Sequence, residues 1–96
     1  MKTLTEIQDQ LSAYKPYLFE NYPLKSIAIF GSYARNENDE KSDLDLMVEF
    51  NGKIGIQFID LADEIEELIG MKIDLVSKNG IKKKYYSVIK RDLIYV

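Results

Sequence analysis

The sequence has no cysteine, no histidine and no tryptophan, and only two prolines in 96 residues. Without cysteine there is no disulfide framework, as suits a chain kept in a reducing cytoplasm. Without histidine, imidazole metal sites and histidine-based acid–base chemistry are excluded, so carboxylates must do any such work. No apolar run approaches the length of a bilayer span, and Met1-Lys2-Thr3-Leu4 opens no signal peptide. The expectation is a soluble, cytoplasmic protein with no membrane partner. There is no internal repeat, linker or low-complexity tract.

At this length, with 46% hydrophobic residues, the reading is one small domain over residues 1–96. A domain this small has little room for a second lobe, so walls for an acceptor would come from a partner. The net charge of −3 argues against broad binding to a nucleic acid backbone. Charge is polarised along the chain. Residues 60–67 hold five acids, whereas Lys78, Lys82, Lys83, Lys84, Lys90 and Arg91 make the C-terminal quarter basic. That suits docking to another charged protein, or two solvated helix faces.

The informative stretch is residues 25–50, KSIAIFGSYARNENDEKSDLDLMVEF. From residue 42 to 50 it alternates, with Leu44, Leu46, Val48 and Phe50 on one face of a strand and Asp43, Asp45, Met47 and Glu49 on the other. Burial of the apolar face pins the register, so Asp43 and Asp45 project side by side from the opposite face. Two carboxylates held there resist joint ionisation unless a cation sits between them, and oxygen-only ligands suit Mg²⁺ or Mn²⁺.

Residues 26–30, SIAIF, read as a buried strand, and SYAR after Gly31 has the composition of a short helix. Gly31 then occupies a strand-to-helix turn, where the missing Cβ lets backbone approach a ligand. Ser32 falls at or near the helix N-terminus, where free N–H groups favour phosphate. A phosphate-binding turn followed by a strand with two metal ligands makes a nucleotide site.

This ordered set, G-S-Y-A-R followed by S-D-L-D-L, resembles the signature of the DNA polymerase beta-like nucleotidyltransferases. In detail it is similar to the minimal nucleotidyltransferases, or MNT proteins, paired with HEPN-domain toxins. The resemblance implies a two-layer α+β nucleotidyltransferase fold: a small mixed sheet with helices packed mainly on one face. It also implies transfer of AMP from ATP to a tyrosine of a HEPN ribonuclease toxin, which the chain would neutralise as an antitoxin in a hetero-oligomer. Asp43 and Asp45 would hold two Mg²⁺ ions, or Mn²⁺, and Asp74 would supply a third carboxylate able to accept the acceptor's proton. Gly31 and Ser32 would hold the triphosphate. Arg35 would contact that triphosphate or brace the loop through an acid. Asn36 departs from the glycine that such proteins often carry there, and asparagine tolerates the left-handed backbone the turn requires. Two alternatives remain at this point: an antitoxin that neutralises by binding alone, and transfer to a small molecule.

Around this stretch, Thr3-Leu4-Thr5-Glu6 reads as a capping box. Leu4, Ile7, Leu11, Tyr14 and Leu18 then follow at helical spacing. Pro16 predicts a break or kink near residues 14–16, with a second helical piece up to about residue 21. Residues 36–42 form a polar loop, with Ser42 bonding a carboxylate or ending the turn. Phe58, Leu61, Ala62, Ile65, Leu68 and Ile69 predict a surface helix stopped by Gly70. Residues 71–76 read as a strand in which Lys72 and Asp74 share one face. If that strand lies beside the Asp43–Asp45 strand, Asp74 joins the same site. Pairing with Lys25, Lys72 or Arg35 is the structural alternative. Residues 81–91 read as a basic helix, and residues 93–96 as a last short strand or extended tail.

Overall fold

The computed structural model describes residues 2–96. In chain order they form α1 (Leu4–Asn21), β1 (Leu24–Phe30), α2 (Gly31–Ala34), β2 (Leu44–Phe50), α3 (Gln57–Ile69), β3 (Ile73–Ser77), α4 (Lys83–Ile89) and β4 (Ile94–Tyr95). The strands make one mixed sheet in the order β3-β2-β1-β4. β1 pairs antiparallel with both β2 and β4, and β2 pairs parallel with β3. A parallel pair needs a long crossover, and α3 supplies it.

α1 starts where the capping box predicts: Thr3 Oγ1 accepts from the Glu6 N–H at 3.1 Å, and Glu6 Oε1 accepts from the Thr3 N–H at 3.3 Å. α3 ends at Gly70, whose φ of +75° suits the left-handed cap and whose N–H reaches the Glu66 carbonyl at 2.8 Å. The apolar stripes of both helices, Ile7, Leu11 and Leu18 with Leu61, Ile65 and Ile69, pack in one core with Ile27, Ile29, Leu44, Leu46, Val48 and Phe50.

One expectation needs correction. Pro16 neither breaks α1 nor splits it, because the helix runs unbroken over Leu4–Asn21. Pro16 and Ser12 are both exposed. The Ser12 carbonyl that loses its helical partner can therefore take one from water. On the face of β2 that carries Asp45 and Glu49, Met47 is fully buried, as is Ala28, its cross-strand partner. Glu49, two residues beyond Met47 on that face, lies 3.6 Å from Lys78, whose ammonium stands 5.3 Å from the ring of Tyr86 in α4. None of the residues of α4 is itself buried, so the helices pack mainly on the core face.

Candidate active site

β1 ends and β2 begins at the same end of the sheet, so the antiparallel ladder sets Phe30 opposite Asp45. Gly31 is the next residue and has φ +74°. A Cβ on it would overlap Asp45 Oδ2 and sit 3.0 Å from Asp45 Cγ. Glycine is therefore required twice over, by the left-handed backbone and by the carboxylate lying against it. On the other side of β2 the parallel ladder sets Asp45 opposite Asp74. Asp43 lies one residue before β2 and is exposed. The predicted proximity of the strand carrying Asp74 is thus observed.

Asp45 is half-buried, and its pKa is raised above the ordinary aspartate value. Burial is the largest cause, followed by the negative charges of Asp74 and Asp43, while Arg35 opposes them. None of the ion pairs among the described residues involves Asp43, Asp45 or Asp74. Pairing of Asp74 with Lys25, Lys72 or Arg35 is accordingly not observed. Among the described residues no three acidic side chains close around a point where a metal ion could sit. By its chemistry the trio still fits a hard divalent cation, being oxygen-only, uncompensated in charge and converging in field on Asp45.

The other polar residues nearby have structural partners. Ser42 ends the turn: its hydroxyl accepts from the Asp39 N–H at 3.0 Å and lies 3.2 Å from Asp39 Oδ1. Asp39 is thereby occupied in the loop. Asn36 has φ +59°, the left-handed turn expected of it. α2 is a single turn of four residues, so its dipole is small, and what it offers a phosphate is the Gly31 and Ser32 backbone and the Ser32 hydroxyl. Arg35 caps α2 and forms ion pairs with Glu37 at 3.4 Å and with Asp92 at 3.0 Å. It braces the loop and the C-terminal segment together. Sequence reasoning missed Asp92, and no local spacing could have exposed a partner 57 residues away.

The family model described as Nucleotidyltransferase domain matches residues 11–96. This chain belongs to that family. The nucleotidyltransferase is 52% identical to a candidate protein adenylyltransferase of Methanocaldococcus jannaschii, with all of both chains covered. It is 38% identical to protein adenylyltransferase MntA of Thermococcus cleftensis, covering all of this chain and 98% of that one. Among solved structures, a candidate minimal nucleotidyltransferase superposes with a TM-score of 0.82 at 29% identity, over 97% of this chain and 95% of the other. A toxin–antitoxin solved with AMP-PNP matches at 0.74 and 20% identity, over 86% and 69% of the two chains. An MNT antitoxin in complex with a tri-AMPylated HEPN toxin from Shewanella oneidensis matches at 0.72 and 21%, over 93% and 70%. The α+β fold expected from the resemblance is the fold observed. Among the described residues, no helix is long and apolar enough to cross a membrane.

A cavity of about 600 Å³, lined by Phe50, Ile54, Phe58, Ser77 and Gly80 among others, opens at the far ends of β2 and β3. It lies at the opposite end of these strands from Asp45 and Asp74. A second pocket, of about 410 Å³, includes Asp43 in its wall.

Proposed function

We propose that this nucleotidyltransferase transfers AMP from ATP to a tyrosine hydroxyl of a HEPN-domain toxin, and acts as that toxin's antitoxin in the cytoplasm. The observation that carries the reading is the packing of Gly31 against Asp45, with Asp45 facing Asp74 across the parallel ladder. A turn suited to phosphate and carboxylates suited to a cation are thereby brought to one end of the sheet. Relatives at 52% and 38% identity named as protein adenylyltransferases support the choice of AMP and of a protein acceptor. The fold shared with an MNT antitoxin bound to a tri-AMPylated HEPN toxin supports the partner.

In the reaction the tyrosine oxygen attacks the α-phosphorus of ATP, the α–β phosphoanhydride bond breaks, and pyrophosphate leaves. Gly31 and Ser32 hold the β- and γ-phosphates through backbone N–H groups and the serine hydroxyl, fixing the α-phosphorus in place. Asp43, Asp45 and Asp74 are the groups that would hold Mg²⁺, or Mn²⁺ in its stead. When bound, such an ion would supply neutralising charge and favour loss of the hydroxyl proton. Asp74, the carboxylate on the side away from Gly31, takes up the hydroxyl proton. Arg35, fixed by Glu37 and Asp92, lends positive charge to Asp45 without neutralising it.

The test is incubation with α-labelled ATP, Mg²⁺ and the protein encoded beside this one. Label is expected on a tyrosine of that partner, with Asp45→Asn lowering it by about 10²-fold or more. A partner that stays unlabelled while still forming a tight complex would refute transfer. One observation favours the binding-only reading: α4 presents exposed Tyr85 and Val88 among lysines, a surface apt for protein contact. That reading requires Asp43→Asn and Asp45→Asn to neutralise the toxin as well as the wild type does.

A further inference from the structure

Asp92 belongs to no sequence motif, yet the chain brings it to the end of the sheet where the candidate site lies. β4 begins at Ile94, which pairs with Ile29 of β1. Asp92 comes two residues earlier, on a turn closed by its own N–H to the Ile89 carbonyl at 3.0 Å. Because β1 and β4 run antiparallel, the chain at Asp92 stands near the level at which β1 gives way to Gly31. In the sheet order β1 has β2 on one side and β4 on the other. The Gly31–Ser32 turn therefore has Asp45 on one flank and Asp92 on the other.

Arg35 bridges from that turn to Asp92. Its backbone N–H bonds the Gly31 carbonyl at 3.1 Å, closing α2, and its Nη1 donates to Asp92 Oδ2 at 3.0 Å. Glu37 is the weaker holder, since its contact is 3.4 Å and its side chain is 64% exposed, against 26% for Asp92. Glu37 also lies in the same loop as Arg35, whereas Asp92 is anchored by the pairing of β4 with β1. An arginine free to sample its rotamers loses that freedom on meeting a ligand; one already held by a carboxylate does not. A guanidinium carries five N–H donors in a fixed fork, so one side can hold a carboxylate while another meets a phosphate.

Resting on the function proposed above, we infer that Asp92 is a positioning residue for ATP: through Arg35 it holds a guanidinium beside the Gly31–Ser32 turn for the β- and γ-phosphates. Those phosphates are already charged in bound ATP, so the contribution falls on KM rather than on kcat. Asp92 itself touches no substrate, and its whole effect passes through Arg35.

The test measures three quantities: the KM for ATP in AMP transfer to the partner, the Kd of α,β-methylene-ATP with Mg²⁺, which needs no partner, and the Tm. Asp92→Ala is expected to raise KM and Kd about fivefold, with kcat within about twofold of the wild type. In an Arg35→Ala background the same substitution should change neither constant. Exchanging the pair, Arg35→Asp with Asp92→Arg, should bring the Tm above that of either single variant and leave KM raised. A pair that only braced the fold would behave otherwise: Asp92→Ala would lower the Tm with KM and Kd unchanged, or the exchange would restore all three. Either result overturns the inference, as does an equal effect of Asp92→Ala without Arg35, and the proposed function stands wherever the wild type labels its partner. A wild type that binds the analogue but labels no partner refutes the proposed function, and the Kd series still decides the role of Asp92. A wild type that does neither refutes both.

Discussion

Replacing Gly31 by alanine tests the contact on which the site is built. Alanine at φ +74° costs about 1–2 kcal/mol from the left-handed backbone alone. The added Cβ would also overlap Asp45 Oδ2 and lie 3.0 Å from Cγ and 3.2 Å from Cβ, so Asp45 or the turn must move. Overpacking of this kind adds about 1–3 kcal/mol. The sum, roughly 2–5 kcal/mol, corresponds to a fall in Tm of about 8–40 °C for a chain of this size. The chain has no tryptophan, so unfolding is best followed by far-UV circular dichroism in urea. Displacing Asp45 by about 1 Å should lower AMP transfer about 10²-fold even where the variant is fully folded. A double-mutant cycle separates the two costs. In an Asp45→Ala background the carboxylate is gone, and Gly31→Ala should cost little more than the backbone share. An equal cost in both backgrounds would show that Asp45 does not lie against Gly31, and the reasoning would fail.

Three further outcomes follow from the geometry. Mg²⁺ should raise the Tm by binding the folded state alone, by the equivalent of about 2.7 kcal/mol at a hundredfold excess over Kd. Asp45→Asn should remove most of that shift, and an identical shift in the variant would place the ion elsewhere. Pro16→Ala restores a helical N–H to α1 and should raise stability by about 1–3 kcal/mol in urea titration, whereas a loss would mean that Pro16 has a packing role. Glu64 accepts hydrogen bonds from the hydroxyls of Tyr17 and Tyr22, which tie α1 and the chain just beyond it to α3 and hold its carboxyl below the usual glutamate value. Because the folded state binds that proton less readily, the stabilisation is complete above the unfolded pKa of about 4.3 and is lost as pH falls through the folded one. Wild type should therefore exceed Glu64→Gln by about 1 kcal/mol at pH 7, with the gap closing below about pH 4. A gap that persists there would assign the effect to packing.

Much of the fold was legible because backbone geometry imposes its period on every few residues. Alternation over residues 44–50 identified β2 and its buried face, and the three-and-four spacing from Phe58 to Ile69 identified α3 with its glycine stop. Pro16 misled for a physical reason: local propensity predicts a break, but a helix anchored on both sides of the proline by Leu11 and Leu18 tolerates one lost bond facing solvent. Alternation tells which residues share a face, not which of them the folded chain buries, and Met47 is fully buried on the face that also carries Asp45 and Glu49.

For the site, the sequence by itself determined which groups were available. With no histidine or cysteine, carboxylates were the available acids and bases, and the order Gly31-Ser32, Asp43, Asp45, Asp74 was the ground for proposing a nucleotide site. The tertiary structure alone decided which of them meet. Placing β3 beside β2 brings Asp74 level with Asp45, the end of β1 sets Gly31 against that same carboxylate, and the path of α4 brings Asp92 to Arg35. These contacts join residues 14, 29 and 57 positions apart. No local period reaches that far, because such pairs are set by how a few strands and helices share one core.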